Sequence, residues 1–240
     1  RRLRIDGGRI AGSPGSRHCY RGVRMLAVST ERMLSAALTS ILRHPAAMRV
    51  KAAARDLRWR LSGTTAQNPP LPPRIDSVLF VCLGNICRSP FAGLLAQQRL
   101  TEIHKVRTVS RSAGIRTSQS GSSPPEARTA AGVHGVSLES HRPVLLTPDL
   151  MSAHDLVVVM EYQQMEHLRS VYPASASRIV LLPLYDAGAT GYERHNIDDP
   201  FMRPASAYAA CYRRIDRAVA ALCAAIAPRA TVAGNLEGRC

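Results

Sequence analysis

The stretch Val78–Pro90, reading Val-Leu-Phe-Val-Cys-Leu-Gly-Asn-Ile-Cys-Arg-Ser-Pro, constrains this 240-residue chain more than any other. Val78–Val81 is a short unbroken apolar run, the pattern of a strand buried on both faces. Ser89-Pro90 reads as a helix start, with Ser89 as N-cap and Pro90 at the first helical position. Between them lies a tight loop bounded by Cys82 and Arg88. A strand, a loop and a helix N-terminus make an anion site, because backbone N–H groups converge there and the helix dipole adds positive potential. Thiolate is the nucleophilic form of cysteine, and a cationic helix N-terminus favours it. Arginine grips a tetrahedral oxyanion through paired hydrogen bonds. A nucleophile beneath an oxyanion cradle implies phosphoryl transfer.

Cys82-Leu83-Gly84-Asn85-Ile86-Cys87-Arg88-Ser89 resembles the Cys-x5-Arg-Ser loop of the low-molecular-weight protein tyrosine phosphatases. A bare Cys-x5-Arg is a weak signal; the preceding strand, the interior Gly-Asn and the following Ser-Pro make it specific. The resemblance covers about residues 76–227. It implies that the backbone of residues 83–88 and the Arg88 guanidinium hold phosphate, that Cys82 attacks it, and that Ser89 donates to the Cys82 thiolate. Asn85 is expected to hold the loop, since Asn tolerates left-handed dihedrals. No metal or cofactor is required.

Attack on a phosphate monoester expels a poor leaving group, which a general acid must protonate. Asp198-Asp199-Pro200-Phe201 resembles the family's Asp-Pro-Tyr loop, which makes Asp199 the acid and later the base that activates water. Phe201 then supplies one aromatic wall of the substrate slot. The opposite wall departs from the family, because Ser118, Gln119 and Ser120 stand where an aromatic is expected. Ser112-Ala113-Gly114 resembles the family's Ser-Ala-Gly element, whose Ser supports the phosphate loop. Ser140-His141-Arg142 resembles a second element, whose His bonds the loop Asn.

Around this stretch, apolar runs alternate with helical patterns. The expected elements are a helix over 89–103, strands over 106–110, 155–160 and 178–182, and helices over 125–134, 162–171 and 205–226. Tyr208, Cys211, Tyr212, Ile215, Val219, Leu222 and Ile226 form one stripe on the last helix. This alternation predicts an α/β fold: a small four-stranded parallel sheet with helices on both faces. The phosphate loop falls at the carboxyl end of its first strand, where open α/β sheets bind ligands.

The chain's net charge of +15 is uneven: residues 1–73 carry +11 and residues 74–240 only +4. Residues 1–73 therefore read as a basic N-terminal extension ending in the stiff linker Pro69–Pro73, residues 74–228 as the phosphatase domain, and residues 229–240 as a tail. Residues 1–24 read as disordered, and Met25 is a candidate native start. Residues 29–61 read as two helices, broken at His44-Pro45. The second is basic and amphipathic, suited to an anionic membrane surface or a protein partner, although its composition also suits a transit peptide. Aromatics are too few for a nucleic-acid stacking platform. The six Cys show no zinc spacing and no disulfide framework, and a catalytic thiolate suits the reducing cytoplasm.

The expected substrate is a phosphotyrosine protein. Two other kinds of relative share this loop. Arsenate reductases need further Cys downstream, and none stands between Cys87 and Cys211. Arginine phosphatases carry Thr where this chain has Ile86, which resembles the tyrosine-directed members. A non-catalytic phosphate-binding adaptor would need no acid at Asp199.

Overall fold

The computed structural model describes residues 45–117 and 121–230. The expected helix over 29–42, the substituted wall at 118–120 and the tail from 231 lie outside the described residues. The chain divides into two compact units, Arg1–Leu57 and Arg58–Cys240. Helix α1 (Pro45–Leu61) opens at Pro45, and its last residues belong to the second unit.

The second unit is built on four parallel strands: β1 (Ser77–Cys82), β2 (Val109–Gly114), β3 (Leu156–Val159) and β4 (Ile179–Leu181), in the order β2-β1-β3-β4. The five residues of β1 after Ser77 and all of β3 and β4 are buried, as their unbroken apolar runs require. Alternating side chains feed two cores. Val78, Phe80, Val158 and Val180 point to the side covered by α2 (Arg88–Gln98), α3 (Pro125–Gly132) and α6 (Ala205–Ile226). Leu79, Val81, Val157 and Val159 point to the side of α4 (Pro148–Ser152) and α5 (Tyr162–Val171), where Met151, Met165 and Leu168 meet them. Each fully buried aliphatic side chain is worth about 1.5–3 kcal/mol, so the sheet is a rigid platform for whatever its loops carry. The Asp155 carboxylate ties the entry of β3 to β1 by accepting from the amides of Asp76 and Ser77 at 2.9 Å and the Ser77 hydroxyl at 2.8 Å.

Several expected boundaries move. β2 was expected over 106–110 but runs from Val109 to Gly114, with Gly114 opposite Cys82. An edge strand has only one paired side, and the outer part of β2 is exposed or half-buried, so its sequence Val-Ser-Arg-Ser carries no apolar run. Helix α2 begins at Arg88 rather than Ser89, and Ser89 is not its cap: Cys87 occupies that position with no side-chain cap. The α-helix ends at Gln98, and a wider π turn takes Arg99–Ile103. β3 and β4 are each shorter by one residue at both ends than expected, whereas α5 and α6 span the expected residues. Helix α4 was not expected; the Thr147 hydroxyl caps it, accepting from the Leu150 amide at 3.2 Å.

Candidate active site

The carboxyl end of β1 delivers Cys82 into the turn before α2. Its side chain is almost fully buried, with Sγ 3.0 Å from the Ser89 hydroxyl and 3.3 Å from the Asn85 amide that donates to it. The hydroxyl expected to cap the helix therefore faces the thiol. Burial pushes the Cys87 thiol well above its ordinary pKa, with the charge of Asp199 adding to the effect. That makes Cys87 a poor thiolate beside Cys82.

Asn85 organises the loop. Its φ is +52°, a left-handed conformation that Asn accepts. Its side-chain amide donates to the Ser89 and Ser112 hydroxyls, both at 2.9 Å, and its Oδ1 accepts from the Val144 amide at 2.8 Å. The Nε2–H of His141 donates to the Asn85 carbonyl at 2.7 Å. Burial holds His141 below its usual pKa, against the opposing pull of the Asn85 hydrogen bond. Ser112 and His141 thus meet at the same loop residue. Gly114 lets them do so: a Cβ there would lie 3.0 Å from the Asn85 backbone nitrogen and the Gly84 carbonyl carbon. Beyond it, the amides of Ile115 and Arg116 donate to the Cys82 and Leu83 carbonyls at 3.0 and 2.8 Å, sealing the loop against β2.

Arg88 is 1% exposed. One terminal nitrogen donates to Glu161 and, at 2.8 Å, to the Ile197 carbonyl; the other donates to Asp199 Oδ2 at 2.7 Å. Its Nε is buried with no partner among the described residues. Burial alone would lower the Arg88 pKa, but Cys82, Asp199 and Glu161 outweigh it and hold the guanidinium charged. A fixed guanidinium cation beside a thiol is the kind of charge that draws an oxyanion.

Asp199 reaches this cluster from the loop before α6. Its other oxygen accepts from the Phe201 amide at 3.1 Å, and its side chain is about one-third exposed. Cys82, Leu83, Gly84, Ile86, Cys87, Asp199 and Phe201 line one cavity of about 440 Å³, together with Arg116, Thr117, Gly121 and Ser122. The Asn85 and Ser89 side chains face the other way, supporting the loop from beneath through the bonds described above. Phe201 stands half-exposed at the mouth. Among the described residues, no cluster of three or more His, Cys, Asp or Glu could hold a metal ion. The arrangement offers a thiol, backbone amides and a guanidinium to an oxyanion, with a carboxylate able to carry a proton beside them.

Glu161 escaped the sequence reading. It follows β3, the strand next to β1, and so reaches the same end of the sheet as Cys82. An acid one residue past a buried apolar run, at the ligand-binding end of the sheet, was the available signal. Tyr212 was read only as part of a core stripe. Its hydroxyl also donates to the Cys87 carbonyl at 2.9 Å, and its ring stacks on Phe91 with centroids 4.1 Å apart.

This fold and loop define a class of phosphate-handling α/β enzymes. A sequence model described as low molecular weight phosphotyrosine protein phosphatase matches residues 77–231, and the chain belongs to that family. It is 32% identical over 145 residues to the probable low molecular weight protein-tyrosine-phosphatase EpsP of Ralstonia nicotianae, covering 60% of this chain and 92% of that one. The crystal structure of the tyrosine phosphatase AmsI of Erwinia amylovora aligns with a TM-score of 0.56 at 30% identity, over 63% of this chain and 93% of that one. The arginine phosphatase YwlE, in a structure with a phosphorylated active-site serine, aligns with a TM-score of 0.56 at 27% identity, over 62% and 95%.

Proposed function

We propose that this chain is a protein tyrosine phosphatase that hydrolyses phosphotyrosine through a phosphocysteine intermediate. The observation that carries the reading is that the Cys82 thiol and the Asp199 carboxylate line one cavity, with the buried Arg88 guanidinium donating to that same carboxylate at 2.7 Å. Phosphate oxygens take the amides of the loop and the charge of the Arg88 guanidinium. The Cys82 thiolate attacks phosphorus in line, the bond from phosphorus to the phenolic oxygen breaks, and Asp199 gives its proton to that oxygen. Water then attacks the phosphocysteine, Asp199 takes a proton from it, and inorganic phosphate leaves as the thiolate is regenerated. The Ser89 hydroxyl stabilises that thiolate, while Asn85, Ser112 and His141 keep the loop's amides aimed at the phosphate.

An apolar wall of Leu83, Ile86 and Phe201 suits a flat phenyl ring. A phosphoarginine substrate would bring a cationic leaving group, and Asp199 is the one carboxylate among the described residues lining the cavity. Phosphotyrosine is therefore the better fit. The thiolate chemistry favours a reducing compartment, in keeping with the cytoplasm. Among the described residues no helix is long and apolar enough to cross a membrane. The basic stretch over 29–61 suits an anionic membrane surface or a protein partner.

The test is turnover of phosphotyrosine, phosphoarginine and phosphoserine peptides side by side, with wild type and Cys82→Ser. Phosphotyrosine should be hydrolysed fastest. Cys82→Ser should abolish turnover yet still bind inorganic phosphate, because the amides and Arg88 remain. Faster phosphoarginine hydrolysis would overturn the substrate, and substantial activity in Cys82→Ser would overturn the nucleophile.

A further inference from the structure

Residues 58–68 precede the family match, which begins at residue 77, yet they pack onto the same unit that carries the cavity. Trp59, the only tryptophan in the chain, sits among three rings. Its centroid is 5.2 Å from that of His195, and 5.6 Å from those of Tyr162 and Tyr192, both met edge to face. Edge-to-face aromatic pairs are directional as well as apolar. Seven residues on, the Ala66 amide donates to His195 Nε2 at 3.3 Å, and His195 Nδ1–H donates to the Gly191 carbonyl at 3.3 Å. His195 is thus held from both sides.

Two of those rings belong to residues adjoining the groups that orient Arg88. Tyr162 follows Glu161, the ion-pair partner of Arg88. The Tyr162 amide donates to the His195 carbonyl and to Asn196 Oδ1, both at 3.1 Å, and Glu161 forms an antiparallel bridge with Asn196. Asn196 precedes Ile197, whose carbonyl accepts from Arg88, and Asp199 follows two residues later. The Trp59 indole therefore presses together the two backbone segments that carry every Arg88 partner described above.

We infer that Trp59 is a positioning residue for the proposed reaction: through Tyr162 and His195 it fixes the segments bearing Glu161, Ile197 and Asp199, and so aims the Arg88 guanidinium. This inference rests on the phosphatase reading. Arg88 must meet charge that grows in the transition state, so a small misalignment falls on kcat more than on KM.

The experiment uses the full chain, with a phosphotyrosine peptide as substrate and inorganic phosphate as the probe of the site. Trp59→Ala should lower kcat about tenfold with KM changed by less than about threefold, measured well below the variant's own melting temperature. Trp59→Phe keeps a ring and should recover kcat to within about twofold of wild type. Because Trp59 is the sole indole, its emission reports the relay directly: phosphate should shift it in wild type and in Cys82→Ser, and the shift should vanish in Glu161→Gln. A merely structural tryptophan would lower the melting temperature of Trp59→Ala and leave kcat intact. That result, or an emission blind to phosphate in a wild type that binds it, overturns the inference. A wild type without phosphatase turnover overturns the functional reading instead, and the phosphate-dependent emission then decides the relay alone.

Discussion

Asn85 shows how much of this site depends on single atoms placed without freedom. Four of its polar atoms are engaged, its backbone is left-handed, and Gly114 approaches it so closely that no side chain fits between. Gly114→Ala should therefore force the loop backbone to move, costing about 1–3 kcal/mol of stability and weakening phosphate binding. Gly132→Ala is the control, since a Cβ there meets nothing within 4 Å; its stability should stay within about 0.5 kcal/mol of wild type. Thermal unfolding and phosphate titration of the two variants check this, and equal behaviour would contradict it. At this scale the sequence was informative where a residue type has few uses. Cys82, Arg88 and Asp199 were singled out from chemistry and motif, and the structure brings Asp199 to within 2.7 Å of Arg88. Glu161 was not, because a lone acid after a strand has many ordinary roles and only the strand order brings it beside Arg88. Ser89 was misread as a cap because Ser-Pro at a helix start usually is one; here the thiol competes for the hydroxyl.

At the level of elements, buried strands and the long amphipathic helix α6 declared themselves through their apolar patterns. The edge strand β2 did not, because half of it faces solvent. Helix α6 does two jobs: Tyr212 props the phosphate loop, and the next turn anchors the chain segment after β4. There Asp186, nearly fully buried, accepts from Arg217 Nε and NH2, both at 3.0 Å, and lies 3.5 Å from Arg214 Nε. Burial alone would raise the Asp186 pKa, but the bonds and charge of Arg217 and Arg214 prevail and hold it below the ordinary carboxylate value. A folded-state pKa below the unfolded one adds stability that is present above the unfolded pKa of about 4 and is lost as pH falls through the folded value. Asp186→Asn should therefore cost about 2 kcal/mol near neutral pH. Its stability should also fall less than that of wild type as pH drops below about 4. Denaturant unfolding across that range reads both; parallel pH profiles would contradict the assignment.

Over the whole molecule, the parallel order β2-β1-β3-β4 carries the function. It sets β1 at the interior, so that Cys82 emerges between Gly114 of β2 on one side and the Met160-Glu161 exit of β3 on the other. The fold class was legible because strand and helix patterns alternate. The contribution of residues 58–68 was not, since nothing in this short, mostly polar stretch announces that its one indole docks on Tyr162 and His195. The central claim is that Asp199 protonates the leaving oxygen while Cys82 attacks. Its most direct test is the single-turnover phosphorylation rate of Asp199→Asn on two substrates of different leaving-group quality. General acid catalysis is worth about 10²–10⁴-fold, so a phosphotyrosine peptide should slow by about that factor. A nitrophenyl phosphate, whose leaving group needs less help, should slow distinctly less. An equal and small loss on both substrates would contradict the account and reduce Asp199 to a turn residue that ties Phe201 to Arg88.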